Sequence, residues 1–228
     1  VMTAFLQKVA DCEAVGVRLR AGEDFPYFET RGFPAEFVHL ENRLCAVDEH
    51  GEPVRDRTGN PVLECMCGNI LCGRFDPSKP FFTAYGSFWT NCTTELLAST
   101  TEADRQSRTR NRCNGEGYES VALLPLRARD TTFGLLQFND RRRGRFTPEK
   151  VAMLEQLADH LAVGLAHRRI EAALRQSEER HRTILQTAMD GFWLVDLQGQ
   201  LLEVNEAYCQ MSGYSEPELL AMRIIDLE

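Results

Sequence analysis

The sequence has no apolar run near the roughly 18 residues a membrane span requires, so no transmembrane segment is expected. It has no excess of positive charge: 26 Lys and Arg against 34 Asp and Glu leave a net charge of -8. A nucleic-acid surface needs a basic face, so no nucleic-acid partner is expected. The start, Val1-Met2-Thr3-Ala4, lacks a basic stretch followed by an apolar one and does not read as a secretory signal. The expected compartment is the cytoplasm, where thiols stay reduced. No Gly-rich phosphate loop occurs, because Asn114-Gly115-Glu116-Gly117 is too short and lacks the Lys-Ser/Thr ending. Nor is there a Cys-x-x-Cys pair among the eight cysteines. The end, Ile224-Ile225-Asp226-Leu227-Glu228, breaks off inside a pattern, as in a fragment of a longer protein.

What is present is concentrated in Leu63–Ser120. This stretch carries Cys65, Cys67, Cys72, Cys92 and Cys113. Among them lie Phe75, Phe81, Phe82, Tyr85, Phe88 and Trp89, then an arginine-dense run from Asp104 to Arg112. The length of 228 residues allows one ordinary domain plus an extension, or two small ones. A hydrophobic content of 43% and a charged content of 26% are those of a globular protein.

Along the chain, Phe5, Leu6, Val9 and Ala10 predict a short amphipathic helix. Val15, Val17 and Leu19 at period two predict a strand, and Phe25–Thr30 its hairpin partner. A helix is expected over Phe37–Leu44, with Phe37, Leu40 and Leu44 on one face. Residues 47–61 read as a surface loop and 69–91 as a long loop without periodicity. Thr94–Arg112 is expected to be partly helical, with Glu102–Arg105 and Asp104–Arg108 as surface pairs. Ser120–Leu126 and Phe133–Asn139 predict strands, Pro125 marking an edge or a bulge. Thr147, Pro148 and Glu149 then give helix-start chemistry.

From Pro148 to Ala188 breakers are few. Leu154, Leu157, Leu161 and Leu165 form one apolar row, and Ile170, Leu174, Ser177, His181 and Ile184 another. About 40 helical residues span about 60 Å, which reads as a coiled-coil linker. Beyond it, residues 191–196 and 201–205 predict a hairpin, and Ser215-x-x-Glu218 a capping box.

Residues 1–168 resemble a GAF domain. The likeness rests on the first hairpin, on Ser120-Val121-Ala122-Leu123-Leu124-Pro125-Leu126 and on Phe133-Gly134-Leu135-Leu136-Gln137-Phe138. It extends through Phe146-Thr147-Pro148-Glu149 into Leu154-Glu155-Gln156-Leu157-Ala158. Residues 177–228 resemble the start of a PAS domain, in Asp190-Gly191-Phe192-Trp193-Leu194-Val195-Asp196, Asn205-Glu206-Ala207-Tyr208 and Gly213-Tyr214-Ser215. The resemblance implies an α+β fold: an antiparallel sheet flanked by helices over 1–147, a dimerising linker helix over 148–188, and a truncated PAS segment over 189–228. It also implies the input half of a signalling protein such as a sensor histidine kinase or a cyclic-di-GMP enzyme. Such a region would act as a homodimer on a downstream output domain or response regulator. No kinase, cyclase or phosphodiesterase motif occurs, so this segment is not expected to be an enzyme itself.

The cysteines admit several chemistries. Cys65, Cys67, Cys72, Cys92 and Cys113 supply enough sulfur to bind zinc, an iron–sulfur cluster or haem iron. The alternatives are thiol–disulfide sensing and inert burial. Phe82, Phe88 and Trp89 are candidates for a cofactor pocket, and Arg108 and Arg112 for binding an anion. His39 and His50 are further candidate ligands, while Cys12, Cys45 and Cys209 read as core. An alternative, implied by resemblance, is a thiol enzyme that reduces free methionine sulfoxide, although no base partner for a reactive cysteine is fixed by the sequence. A ligand-free dimerisation module is a third reading.

Overall fold

Residue alternation builds the central sheet. A computed structural model describes residues 2–106, 109–187 and 190–227, with backbone alone at 181, 182 and 185–187. The chain divides into two units, Val1–Ala166 and His167–Glu228. In the first, β1 (Ala14–Leu19), β2 (Tyr27–Arg31), β3 (Phe88–Thr90), β4 (Ser120–Ala128) and β5 (Thr131–Asp140) form a sheet in the order β2-β1-β5-β4-β3. Every neighbouring pair is antiparallel, so the expected α+β architecture is the one observed.

Successive side chains of a strand point to opposite faces. Val15, Val17, Ala122, Leu124, Leu136 and Phe138 therefore share one face. There they pack with Leu6 and Ala10 of α1 (Met2–Ala10) and with Val151, Leu154, Ala158 and Ala162 of α6 (Pro148–Thr187). Ala14, Val121, Leu123 and Leu135 point to the other face, against α3 (Cys65–Leu71) and the ring cluster of Phe81, Phe82 and Phe88. Pro125 lies past the three residues of β4 that pair with β3, so its missing N–H breaks no ladder there. A bulge follows at Leu126/Arg127.

Several segments depart from expectation. α2 (Ala35–Glu41) starts earlier and ends sooner; Phe37 is buried, Leu40 is 42% exposed, and Leu44 is buried beyond the helix. Residues 45–63 form a small meander rather than a plain loop, with bridges Cys45–Leu63, Val47–Pro53 and Arg55–Pro61. The string Asp-x-x-Gly-x-Pro-Val occurs twice, at 48–54 and 56–62. Asp48 Oδ1 accepts from the His50 and Glu52 N–H groups, and Asp56 Oδ1 from those of Thr58 and Asn60. The stretch 69–91 is bracketed by α3 and by β3, whose three residues are too few to show a period.

Among the described residues between Thr93 and Gly115 the chain forms two short helices, α4 (Thr93–Ser99) and α5 (Arg112–Gly115). Asp104 pairs with Lys79 at 2.6 Å rather than along a helix face, and Arg105 is buried, its Nη1 donating to Thr100 O at 2.7 Å. Arg108 lies outside the described residues.

α6 opens as the sequence suggested, the Lys150 N–H donating to Thr147 Oγ1 at 3.2 Å. Leu157, Leu161 and Leu165 are partly buried on the α1 side of the sheet, whereas Ile170, Leu174 and Ile184 are exposed. The second unit pairs β6 (Trp193–Val195) with β7 (Leu201–Val204). α7 (Glu206–Ser212) is capped by Asn205, whose side chain accepts from Tyr208 N at 2.9 Å. α8 (Glu216–Leu220) opens with Glu218 Oε2 accepting from Ser215 N and Oγ. Among the described residues no helix is long and apolar enough to cross a membrane.

Candidate functional site

Three of the five candidate cysteines meet. Cys65, Cys67 and Cys113 line one cavity of about 60 Å³, with Phe88, Arg105 and Arg112 also in its wall. α3 brings the first two there by packing tightly on the segment before it. A Cβ at Gly68 would lie 2.6 Å from the Leu63 carbonyl, so only glycine allows this approach. Cys65, the first residue of α3, has φ +66, a left-handed conformation that costs a non-glycine residue energy and clusters at functional sites. Its effect is directional. In a regular helix residues two apart point about 200° away from each other, yet here Cys65 and Cys67 line the same cavity.

The two thiols are unequal. Hydrogen bonding from Cys67 brings the Cys65 thiol down to about 7, against the opposing effects of burial and of the Glu41 carboxylate. The same hydrogen bond, with burial, pushes Cys67 well above the usual thiol range. Burial raises Cys113 to about 12.

A polar floor from the sheet supports the sulfurs. Gln137 on β5 contacts both: its Nε2 lies 3.7 Å from Cys113 Sγ, and its Oε1 lies 3.9 Å from Cys67 Sγ. The same Oε1 accepts from Tyr27 Oη at 2.8 Å, and Nε2 donates to Asn139 Oδ1 at 3.1 Å. Arg18 is fully buried beside it, its guanidinium 3.6 Å from the Tyr27 ring centre. It donates to the carbonyls of Phe25 and Glu41 at 2.9 and 2.6 Å. Glu41, buried at 4% exposure, pairs with Arg112 at 2.9 Å and Arg110 at 3.7 Å. Burial still raises its carboxyl, despite the guanidinium groups around it. Arg18, Tyr27, Gln137 and Glu41 were not singled out from the sequence. A signal existed: Arg18 and Gln137 are polar residues at alternate positions of otherwise apolar strands.

The remaining candidates are dispersed. Cys72 is exposed at the end of α3. Cys92 caps α4, its sulfur accepting from Glu95 N at 3.4 Å and donating to Glu119 Oε2 at 3.4 Å. Phe88 lines the cavity, whereas Phe82 is buried among Phe75, Phe81 and Phe88. Trp89 faces a separate open groove with Lys79, Cys92 and Asp104. Arg112 is at the cavity but is committed to Glu41. His39 borders a surface groove beside Tyr27, and His50 sits in an exposed turn.

These positions bear on the metal and cofactor candidates. Zinc and cluster sites take four ligands, and only three sulfurs converge. Among the described residues no group of three or more His, Cys, Asp or Glu is arranged to hold a metal ion. Haem needs a pocket of the ordinary ligand size, about 300–1,000 Å³, which exceeds a cavity of about 60 Å³. The residues present therefore do not fit haem, an iron–sulfur cluster or a four-ligand zinc site. They do fit thiol chemistry on a small molecule.

No curated protein matches the chain. Among solved structures it is similar to the second GAF domain of DevS from Mycobacterium smegmatis, at 19% identity over 77% of this chain and 93% of that one, with a TM-score of 0.44. It is similar to the GAF domain of a phosphoenolpyruvate-protein phosphotransferase from Coxiella burnetii, at 15% identity over 75% and 82%, with a TM-score of 0.48. A type II free methionine-R-sulfoxide reductase from Thermoplasma acidophilum is similar at 12% identity over 73% and 88%, with a TM-score of 0.44. The PAS domain family matches residues 179–228. The GAF domain family matches residues 6–165, more than half of the sequence, and the chain belongs to that family.

Proposed function

We propose that this chain is the sensory input region of a signal-transduction protein, of the two-component sensor kinase kind, and that its GAF cavity reads redox state or a small ligand through Cys65, Cys67 and Cys113. One observation carries the reading. Gln137 touches the sulfurs of Cys67 and Cys113 on one face of β5. Its neighbours Leu136 and Phe138 point to the other face and pack in the core shared with α6. A change at the thiols thus shifts the strand on which that helix rests, and interior packing is stiff enough to transmit such shifts. Two hydrogen bonds add a second link: Thr83 to Glu155 and Tyr85 to Asp159, both at 2.6 Å.

The signal then leaves along α6 to a downstream output domain or response regulator. Val163, Ile170 and Ile184 are exposed at seven-residue multiples, with Leu174 beside them, and this spacing suits pairing with a second copy. Amide hydrogen exchange over residues 148–166, in dithiothreitol, in diamide and with a chelator, tests the reading together with sedimentation. The expected result is altered protection in the oxidised state. Identical exchange and association in all three conditions remove it.

A further inference from the structure

We propose that Cys65 and Cys67 form a two-thiol switch for small hydroperoxides, Cys65 the attacking sulfur and Cys67 the resolving one, a reading that rests on the sensory role proposed above. The left-handed turn at Cys65 is what brings residues two apart in sequence to the same cavity wall. At about 60 Å³ the cavity admits hydrogen peroxide or a short alkyl hydroperoxide. The cavity is half open, so larger reagents reach its mouth, but a small two-electron oxidant is the one it can enclose.

The chemistry balances as follows. The Cys65 thiolate attacks one oxygen of ROOH, the O–O bond breaks, and with one proton the products are Cys65 sulfenic acid and ROH. The Cys67 sulfur then attacks the Cys65 sulfur. An S–S bond forms, the S–O bond breaks, and the hydroxyl leaves with the Cys67 proton as water. Two electrons and two protons from an external dithiol restore both thiols. Closing the bridge draws Cys67 from the Gln137 carboxamide, which alters the contact between α3 and β5 described above. Cys113 stays a thiol, held by Gln137 and with its acidity suppressed by burial.

The test uses the full chain carrying Cys72→Ser, an exposed position outside the cavity. One equivalent of hydrogen peroxide is added to the reduced protein, which is then digested with trypsin without reduction. Cleavage after Arg57 and Arg74 places Cys65 and Cys67 in one peptide, and cleavage after Arg112 places Cys113 in another. The expected product is the 58–74 peptide lacking two hydrogens. A cross-link to the 113–127 peptide overturns the assignment of Cys67, and thiols intact throughout overturn the proposal. Cys67→Ser should leave a sulfenic acid on Cys65 that dimedone traps. Cys67→Ala repeats this without a hydroxyl, and the digest itself needs no cavity variant. If the disulfide forms while exchange over 148–166 is unchanged, the chemistry stands and the sensory reading falls. If exchange responds to diamide while peroxide leaves every thiol intact, the switch falls and the sensory reading stands.

Discussion

The two faces of one sheet have different jobs although they come from the same strands. On the α1/α6 face the contacts are aliphatic and aromatic, with Val15, Val17, Leu124, Leu136 and Phe138 all buried. On the other face the same strands bury Arg18, Gln137 and Asn139, with Gln137 against Cys67 and Cys113. An apolar face holds the fold by area removed from water. Those polar groups, set beside the apolar cluster of Val121, Leu123 and Leu135 on that face, add little net stability themselves, because each only exchanges water for a protein partner. They do fix geometry and tune the sulfurs.

That contrast can be broken from either side. Phe138→Ala, on the helix face, should cost about 3–5 kcal/mol, measured by urea unfolding with Trp89 as sole reporter in a Trp193→Phe background. Gln137→Ala, one residue earlier, should cost only about 1–3 kcal/mol, from the Tyr27 and Asn139 groups it leaves without that partner. It should change alkylation rates at Cys67 and Cys113, which Phe138→Ala should disturb only through unfolding.

Arg110→Ala should cost about 1–2 kcal/mol by removing a partner of buried Glu41. The pH dependence has a definite sign. The Glu41 carboxyl is raised in the folded state, so the fold binds that proton more tightly than the unfolded chain does. Its contribution is full below the ordinary carboxylate range and is lost as pH rises through the folded value. Loss of Arg110 raises that value further, so the variant's deficit should be larger at pH 8 than at pH 5. An equal deficit at both would remove Glu41 from the account. Cys72→Ser is the smallest effect, within about 0.5 kcal/mol, against a measurable loss for Cys67→Ser at a buried site. Equal effects at the two sites would erase the distinction between cavity and surface cysteines.

Much of the framework was legible in the sequence because it rests on local periodicity. Val15, Val17 and Leu19 gave β1, Phe133–Asn139 gave β5, and Thr147-Pro148-Glu149 gave the start of α6. β3 was not legible, since three residues carry no period and its existence depends on pairing with Val121–Leu123. The 45–63 meander is not legible despite its repeat, because Pro and Gly mark turns without showing which segments bridge across them. The arginine run misled for a different reason. Spacing suggested a solvated helix face, but Arg110 and Arg112 bind Glu41, a residue about seventy positions away.

By itself the sequence determined the fold family, most of its longer elements and the stretch that holds the candidate cysteines, because hydrophobic alternation and helix-start residues act over a few positions. It could not sort the five cysteines of that stretch. Tertiary structure did so, gathering Cys65, Cys67 and Cys113 at one cavity, the last two against Gln137, and leaving Cys72 at a helix end and Cys92 as a cap. The physical reason is that a thiol's character depends on its buried neighbours. Those neighbours come from strands and helices far apart in the chain.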